Sequence, residues 1–162
     1  MADTQTQETK ETQEDERQEE VEVETLHTHE EINRDLCGEI TLLEPGYVEV
    51  SLVAAPEMAV DEKGLVHGGF IFGAADFAAM AAVNEENVVL AASHCQFLAP
   101  VKIDDVVLFK AKVRQRNGRK RNVEVEAFAY DIKIFTGTFQ TVITEKHVLQ
   151  LKLLETVEEK ES

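Results

Sequence analysis

The 162-residue chain reads as an α+β domain, with one long apolar helix laid against an antiparallel sheet. Two observations predict this. Residues 70–83 are almost entirely apolar, rich in Ala and free of Pro, the composition of a helix buried on most sides. From Val88 onward the period changes to two. Val123, Val125, Ala127 and Ala129 alternate with Asn122, Glu124, Glu126 and Phe128, as in a strand with one buried face.

The elements follow in order. Leu26, Ile32 and Leu36 are spaced as on a short amphipathic helix, which Gly38 ends. Residues 39–43 and 47–53 read as two strands around a Pro45-Gly46 turn. Residues 55–66, with Pro56 and Gly64, read as irregular. The long helix enters from His67-Gly68-Gly69. Residues 88–98 read as a strand that stops at Pro100, and 106–115 as the next. Asn117-Gly118 is a tight-turn signal that joins this strand to 122–130. A turn at 131–133 leads to a last strand, 134–143. A helix apolar nearly all round needs cover all round, and one curved sheet supplies most of it. A second copy is expected over the edge strands and the remaining apolar surface, making a homodimer or homotetramer.

Charge divides the chain. Residues 1–31 hold 12 acidic residues against Lys10 and Arg17, a net −10 of the chain's −16. Residues 1–24 carry almost no apolar side chains and are expected to be a disordered acidic tail, with 156–162 a short polar one. The folded domain is expected over 25–155. The tail's charge suits a solubilising arm or a protein partner. An acidic chain repels phosphates, so nucleic-acid binding is not expected. No apolar run approaches the roughly 18–20 residues of a membrane span, and no basic-then-apolar leader opens the sequence. Cys37 and Cys95 form neither a disulfide framework nor a CxxC motif, so a reducing cytoplasm is the default reading. His27, His29 and His94 lack a ligand set at metal spacing, and no metal site is expected.

The chemistry concentrates in residues 61–76. Gly68 and Gly69 stand where the loop enters the helix, and paired glycines let a ligand approach the backbone. The first N–H groups of a helix have no internal partner and sit at its positive end, where they could hold an oxyanion. Asp76 lies inside the apolar run, about two turns further on. Burying a carboxylate without a partner is costly, so Asp76 is either paired across a dimer or functional.

His67-Gly68-Gly69 with Asp76 nine residues after the His resembles the hotdog-fold acyl-CoA thioesterases, the PaaI-like branch in particular. Phe97-Leu98-Ala99-Pro100 followed by Asp104-Asp105, Val113-Arg114-Gln115 followed by Gly118-Arg119-Lys120, and Gly137-Thr138-Phe139 extend the similarity over residues 36–146. The resemblance implies a sheet wrapped around the long helix and an active site at a dimer interface. Asp76 would be nucleophile or general base on a thioester. The N–H of Gly69, with Gly68, would hold the oxyanion, and His67 would orient the carbonyl side. Asp61 stands where the family often has Asn. An ionised carboxylate only accepts hydrogen bonds, so substrate positioning and a loop-turn role both stay open. Met80 occupies the position one turn beyond Asp76 where some relatives carry a hydroxyl. Five of the 16 basic residues, Arg114, Arg116, Arg119, Lys120 and Arg121, fall within eight positions. They suit the phosphates of coenzyme A, with Arg119 and Arg121 favoured because they share a face. The substrate supplies the coenzyme A moiety, and no resident cofactor is expected. The resemblance also extends to hotdog-fold regulators. The alternative function is therefore a non-catalytic acyl-CoA or malonyl-CoA binder acting through a protein partner.

Overall fold

The computed structural model describes residues 24–151; apart from Glu24, the two expected tails lie outside them. Helix α1 is Arg34–Cys37, followed by strands β1 (Glu39–Glu44) and β2 (Tyr47–Val53), the long helix α2 (Gly68–Val83), and strands β3 (Val88–Phe97), β4 (Val106–Asn117), β5 (Lys120–Ala129) and β6 (Ile132–Ile143). All six strands form one antiparallel sheet in the order β1-β2-β4-β5-β6-β3. This is the α+β arrangement expected.

The first helix is shorter than its spacing suggests. His29 takes a left-handed backbone conformation with φ 53°, which stops any helix through Leu26 and Ile32. Asn33 then caps a single turn, accepting hydrogen bonds from the N–H groups of Asp35 and Leu36. Leu26, Ile32 and Leu36 still pack against the core. Two turns also sit differently from expectation. The β4–β5 turn is centred on Gly118-Arg119, with Asn117 paired to Lys120 and Gly118 at φ 58°. The β5–β6 turn is Tyr130-Asp131, both at positive φ, so β6 begins at Ile132.

Helix α2 is the centre of the core. Ile71, Ala74, Ala75, Phe77, Ala78, Ala79, Met80, Ala81 and Ala82 are all buried. The inner residues of β5, Val123, Val125, Ala127 and Ala129, are buried as the alternation predicts. The helix ends at Asn84, whose left-handed conformation (φ 52°) is held from both sides. Its side chain accepts from the His27 N–H at 2.7 Å and donates to the Thr25 carbonyl at 2.9 Å. β1 and β3 are the sheet edges. β3 is ten residues long, and its centre, Leu90 to Gln96, contains neither Lys nor Pro to block pairing. Among the described residues no helix is long and apolar enough to cross a membrane.

Candidate active site

Helix α2 starts at Gly68, with His67 in the capping position at extended backbone angles. The His67 side chain makes no capping bond. Its backbone N–H donates to the Met58 carbonyl at 2.9 Å, and its carbonyl accepts from the Phe70 N–H at 3.1 Å. The N–H groups of Gly68 and Gly69 therefore have no backbone acceptor among the described residues. They stand at the positive end of a 16-residue helix. A side chain at either position would meet an aromatic neighbour, the movable ring of His67 or, at ordinary contact distance, that of Phe97. A Cβ on Gly69 would lie 2.7 Å from His67 Nε2, and one on Gly68 would lie 3.4 Å from the Phe97 ring. The exposed His67 ring folds back over Gly69 and meets Phe70 edge-on at 6.0 Å between centroids. Phe97 closes the other side of the helix start and is itself stacked edge-on against Phe135.

Asp76 lies on the same face of α2 as Gly69, seven residues on, about 10 Å along the axis. Its Oδ1 is buried with no hydrogen-bond partner among the described residues. Burial pushes the acid up from an ordinary 3.8 to about 6. Cys37, at the end of α1, lies within electrostatic reach. Its thiol is pushed up first by burial and then by the Asp76 charge.

The other expected residues are dispersed. Asp61 is exposed, and its Oδ1 accepts from the N–H groups of Lys63 (3.0 Å) and Leu65 (3.2 Å), closing the turn that Gly64 completes at φ 83°. Met80 is packed in the core at 1% exposure. Strand alternation and a bulge at Arg114 divide the basic hairpin. Arg114 pairs with Glu124 at 2.9 Å, and Arg116 packs over Gly46. Arg119 pairs with Glu145, while the Arg121 guanidinium donates to the carbonyls of Gly118 (2.6 Å) and Lys120 (2.9 Å). Lys120 lines a cleft of about 280 Å³ with Gln115, Asn117, Asn122 and Gln140. Along β6, the hairpin is level with Val142, whereas Phe97 and the helix start are level with Phe135. Seven residues of strand separate them, about 23 Å. One chain does not bring Arg119 and Arg121 to the helix start.

One residue beside the helix start escaped the motif spacing. Phe97 reads as a strand end, and only the fold lays its ring over Gly68.

Residues 63–135 match the thioesterase superfamily. The fold superposes on an uncharacterized protein from Pyrococcus horikoshii with a TM-score of 0.77 at 46% identity, over 78% of this chain and 97% of that one. The chain belongs to the thioesterase superfamily. The hotdog fold is shared with the Escherichia coli PaaI protein of the phenylacetic acid degradation operon (TM-score 0.64, 21% identity, 69% of this chain and 83% of that one). It is shared equally with a hypothetical thioesterase from Streptococcus pneumoniae in a structure with coenzyme A (TM-score 0.61, 21% identity, 67% and 87%). Two curated relatives are longer proteins. The chain is 49% identical over 117 residues to a methylthioribose-1-phosphate isomerase of Aquifex aeolicus, covering 72% of this chain and 26% of that protein. It is 28% identical over 125 residues to a transcription factor FapR of a Thermoanaerobacter species, covering 76% of this chain and 62% of that one.

Proposed function

We propose that this superfamily member hydrolyses acyl-CoA thioesters, with Asp76 as the catalytic carboxylate. The observation that carries the reading is the buried, unpartnered Oδ1 of Asp76 on the helix face that begins with the free N–H groups of Gly68 and Gly69. An acid held at about 6 is ionised at neutral pH yet still basic enough to take a proton. As general base, Asp76 removes a proton from water while the water oxygen attacks the thioester carbon. The Gly69 N–H, with that of Gly68, stabilises the oxyanion. The intermediate collapses with cleavage of the C–S bond, and the departing thiolate takes the proton from Asp76. His67, over Gly69, orients the carbonyl. This chemistry needs no metal and no resident cofactor.

Distance makes this a shared site. A carbonyl held at the Gly69 N–H is about 10 Å from Asp76 of the same chain. The carboxylate acting on it therefore comes from a second copy. The unprotected β3 edge supplies the contact. Antiparallel pairing of β3 with β3 about a two-fold sets the Val88 end of one copy beside the Phe97 end of the other. That brings the second copy's hairpin, with Arg119 and Arg121, toward the helix start, where the coenzyme A phosphates need cations.

Complementation tests both claims. Asp76→Asn removes the base. Gly69→Pro removes the N–H donor at a first-turn position whose backbone tolerates proline, and its ring displaces the exposed His67 side chain. Each variant alone is expected to lose at least about 100-fold in kcat. Co-refolded one to one, the mixture is expected to recover about a quarter of wild-type activity, because half the dimers are mixed and each has one intact site. A mixture as inactive as its parents sinks the shared site, and an active Asp76→Asn sinks the carboxylate. The FapR likeness supports a second reading, an acyl-CoA-binding regulator that acts through a protein partner. Tight acyl-CoA binding by calorimetry with no turnover selects it.

A further inference from the structure

Charge is segregated on the domain. Residues 112–121 carry six cations and no acid, whereas the rest of 24–151 carries 19 acids against six cations. Arg114 and Arg119 are paired to Glu124 and Glu145, but Arg116 and Lys120 have no carboxylate partner among the described residues. Both are exposed. The cleft of about 280 Å³ beside them presents the amides of Gln115, Asn117, Asn122 and Gln140 together with Lys120. Amides both donate and accept hydrogen bonds, so this seat suits a polar polypeptide that carries carboxylates. β5 and β4 lie two and three strands in from the β3 edge, so pairing of that edge between copies keeps the hairpin open to solvent.

The chain itself supplies such a segment. Residues 1–23 hold nine carboxylates against Lys10 and Arg17, a net −7, and Gln and Thr make up most of the rest. They join the described domain at the hairpin's end of the molecule. The Thr25 carbonyl accepts from the Asn84 side chain at 2.9 Å, where α2 ends. Three residues on, the Asn87 carbonyl accepts from the Thr144 N–H at 3.2 Å, and the adjacent Ile143 N–H donates to the Arg119 carbonyl at 2.8 Å. These steps put Thr25 within about 30 Å of Arg119. A chain of this length averages about 25–30 Å end to end as a coil and reaches about 75–80 Å when extended. Tethered at that range, it meets the hairpin at an effective concentration of about 1 mM or more. The rest of the domain carries its own sign of charge and repels it.

We propose that residues 1–23 dock on the β4–β5 hairpin of their own chain, with carboxylates on Arg116 and Lys120 and polar side chains against the amides of the cleft. The attraction is electrostatic and exposed, so salt weakens it. Its consequence rests on the thioesterase reading of the site. The hairpin is where the coenzyme A phosphates need cations, so the segment must leave before the substrate is held. Docking for about 70–90% of the time raises the apparent Kd for coenzyme A about 3- to 10-fold.

Both arms of the test use the full chain, as wild type and with the nine carboxylates of residues 1–23 replaced by Gln and Asn. Zero-length carbodiimide coupling of wild type at low salt, read by peptide mass spectrometry, is expected to join Lys120 to carboxylates of residues 3–22. Coupling should exceed that of the exposed Lys63 and Lys102 at least about fivefold and disappear at about 0.5 M salt. In calorimetry with coenzyme A, the neutralised chain is expected to bind about 3- to 10-fold tighter than wild type at low salt and within about twofold at 0.5 M. Coupling spread evenly over the three lysines overturns the proposal. So does coupling of Lys120 to residues 152–162 instead, or coupling found only between copies when isotope-labelled and unlabelled chains are co-refolded. Selective coupling with no difference in coenzyme A affinity supports the docking and refutes the hairpin as the phosphate site. Selective coupling in a protein that turns over no acyl-CoA leaves the docking standing and refutes the thioesterase reading alone.

Discussion

Replacing Asp76 by Asn should make the protein more stable, and more so at neutral than at acidic pH. The native carboxyl titrates at about 6 instead of 3.8 because burial strips it of water and no donor replaces the water. Between about pH 4 and pH 6 the folded state binds more protons at this group than the unfolded state does. Stability therefore falls as pH rises through that window, and the loss is complete above about 6. At pH 7.5 the shift corresponds to about 3 kcal/mol, which the solvent reaching the rest of the side chain trims to about 2–3 kcal/mol. At pH 4.5 the same linkage leaves about 1 kcal/mol. Asn has the shape of the protonated acid and carries no charge to desolvate. Urea unfolding of wild type and Asp76→Asn at both pH values measures the difference directly. The expected gain is about 2–3 kcal/mol at pH 7.5, shrinking to about 1 kcal/mol or less at pH 4.5. A variant less stable than wild type at pH 7.5, or a gain equal at the two pH values, refutes the reasoning. It would mean that the carboxylate has a partner that stabilises its charge. Coupled with loss of turnover, the expected result is a stability cost carried at a catalytic position.

If Asp76 acts as a base, kcat/KM should rise about tenfold per pH unit below about 6 and level off above it, measured from pH 4.5 to 8.5. A flat profile across that range would falsify the role. Gly38→Ala should destabilise by about 2–4 kcal/mol in urea. The position combines φ 95° with a Cβ that would lie 2.7 Å from Val50 Cγ1 and 2.9 Å from the Ser51 carbonyl oxygen. Gly118→Ala, at φ 58° with nothing within 4 Å, should cost only about 1–2 kcal/mol. Equal effects at the two glycines would show that backbone strain alone sets the cost.

Much of the fold was legible because its two periods are undisturbed. Residues 70–83 had to be a buried helix, and the alternation of Val123, Val125, Ala127 and Ala129 had to be an inward face. Both hold in the structure. Failures of the local reading occurred where a single residue chose a left-handed conformation. His29 breaks the first helix, and Tyr130 and Asp131 move the last turn. None of these is the glycine that normally announces such a conformation.

The candidate site divides along the same line. His67, Gly68, Gly69 and Asp76 are neighbours on one helix start and one helix face, so their relation follows from spacing along 3.6 residues per turn. By itself the sequence determined this set, together with the acidic bias of residues 1–31 and the basic hairpin. Tertiary structure decided what surrounds these elements. It left Asp76 Oδ1 without a donor, laid Phe97 over Gly68, tied Asp61 into its own loop and placed Met80 in the core. It also set the hairpin about 23 Å from the helix start. Local spacing fixes which residues share a face, because the helix repeats within a few residues. Burial, missing partners and distances between strands depend on pairings among residues far apart in the chain, which no local period encodes.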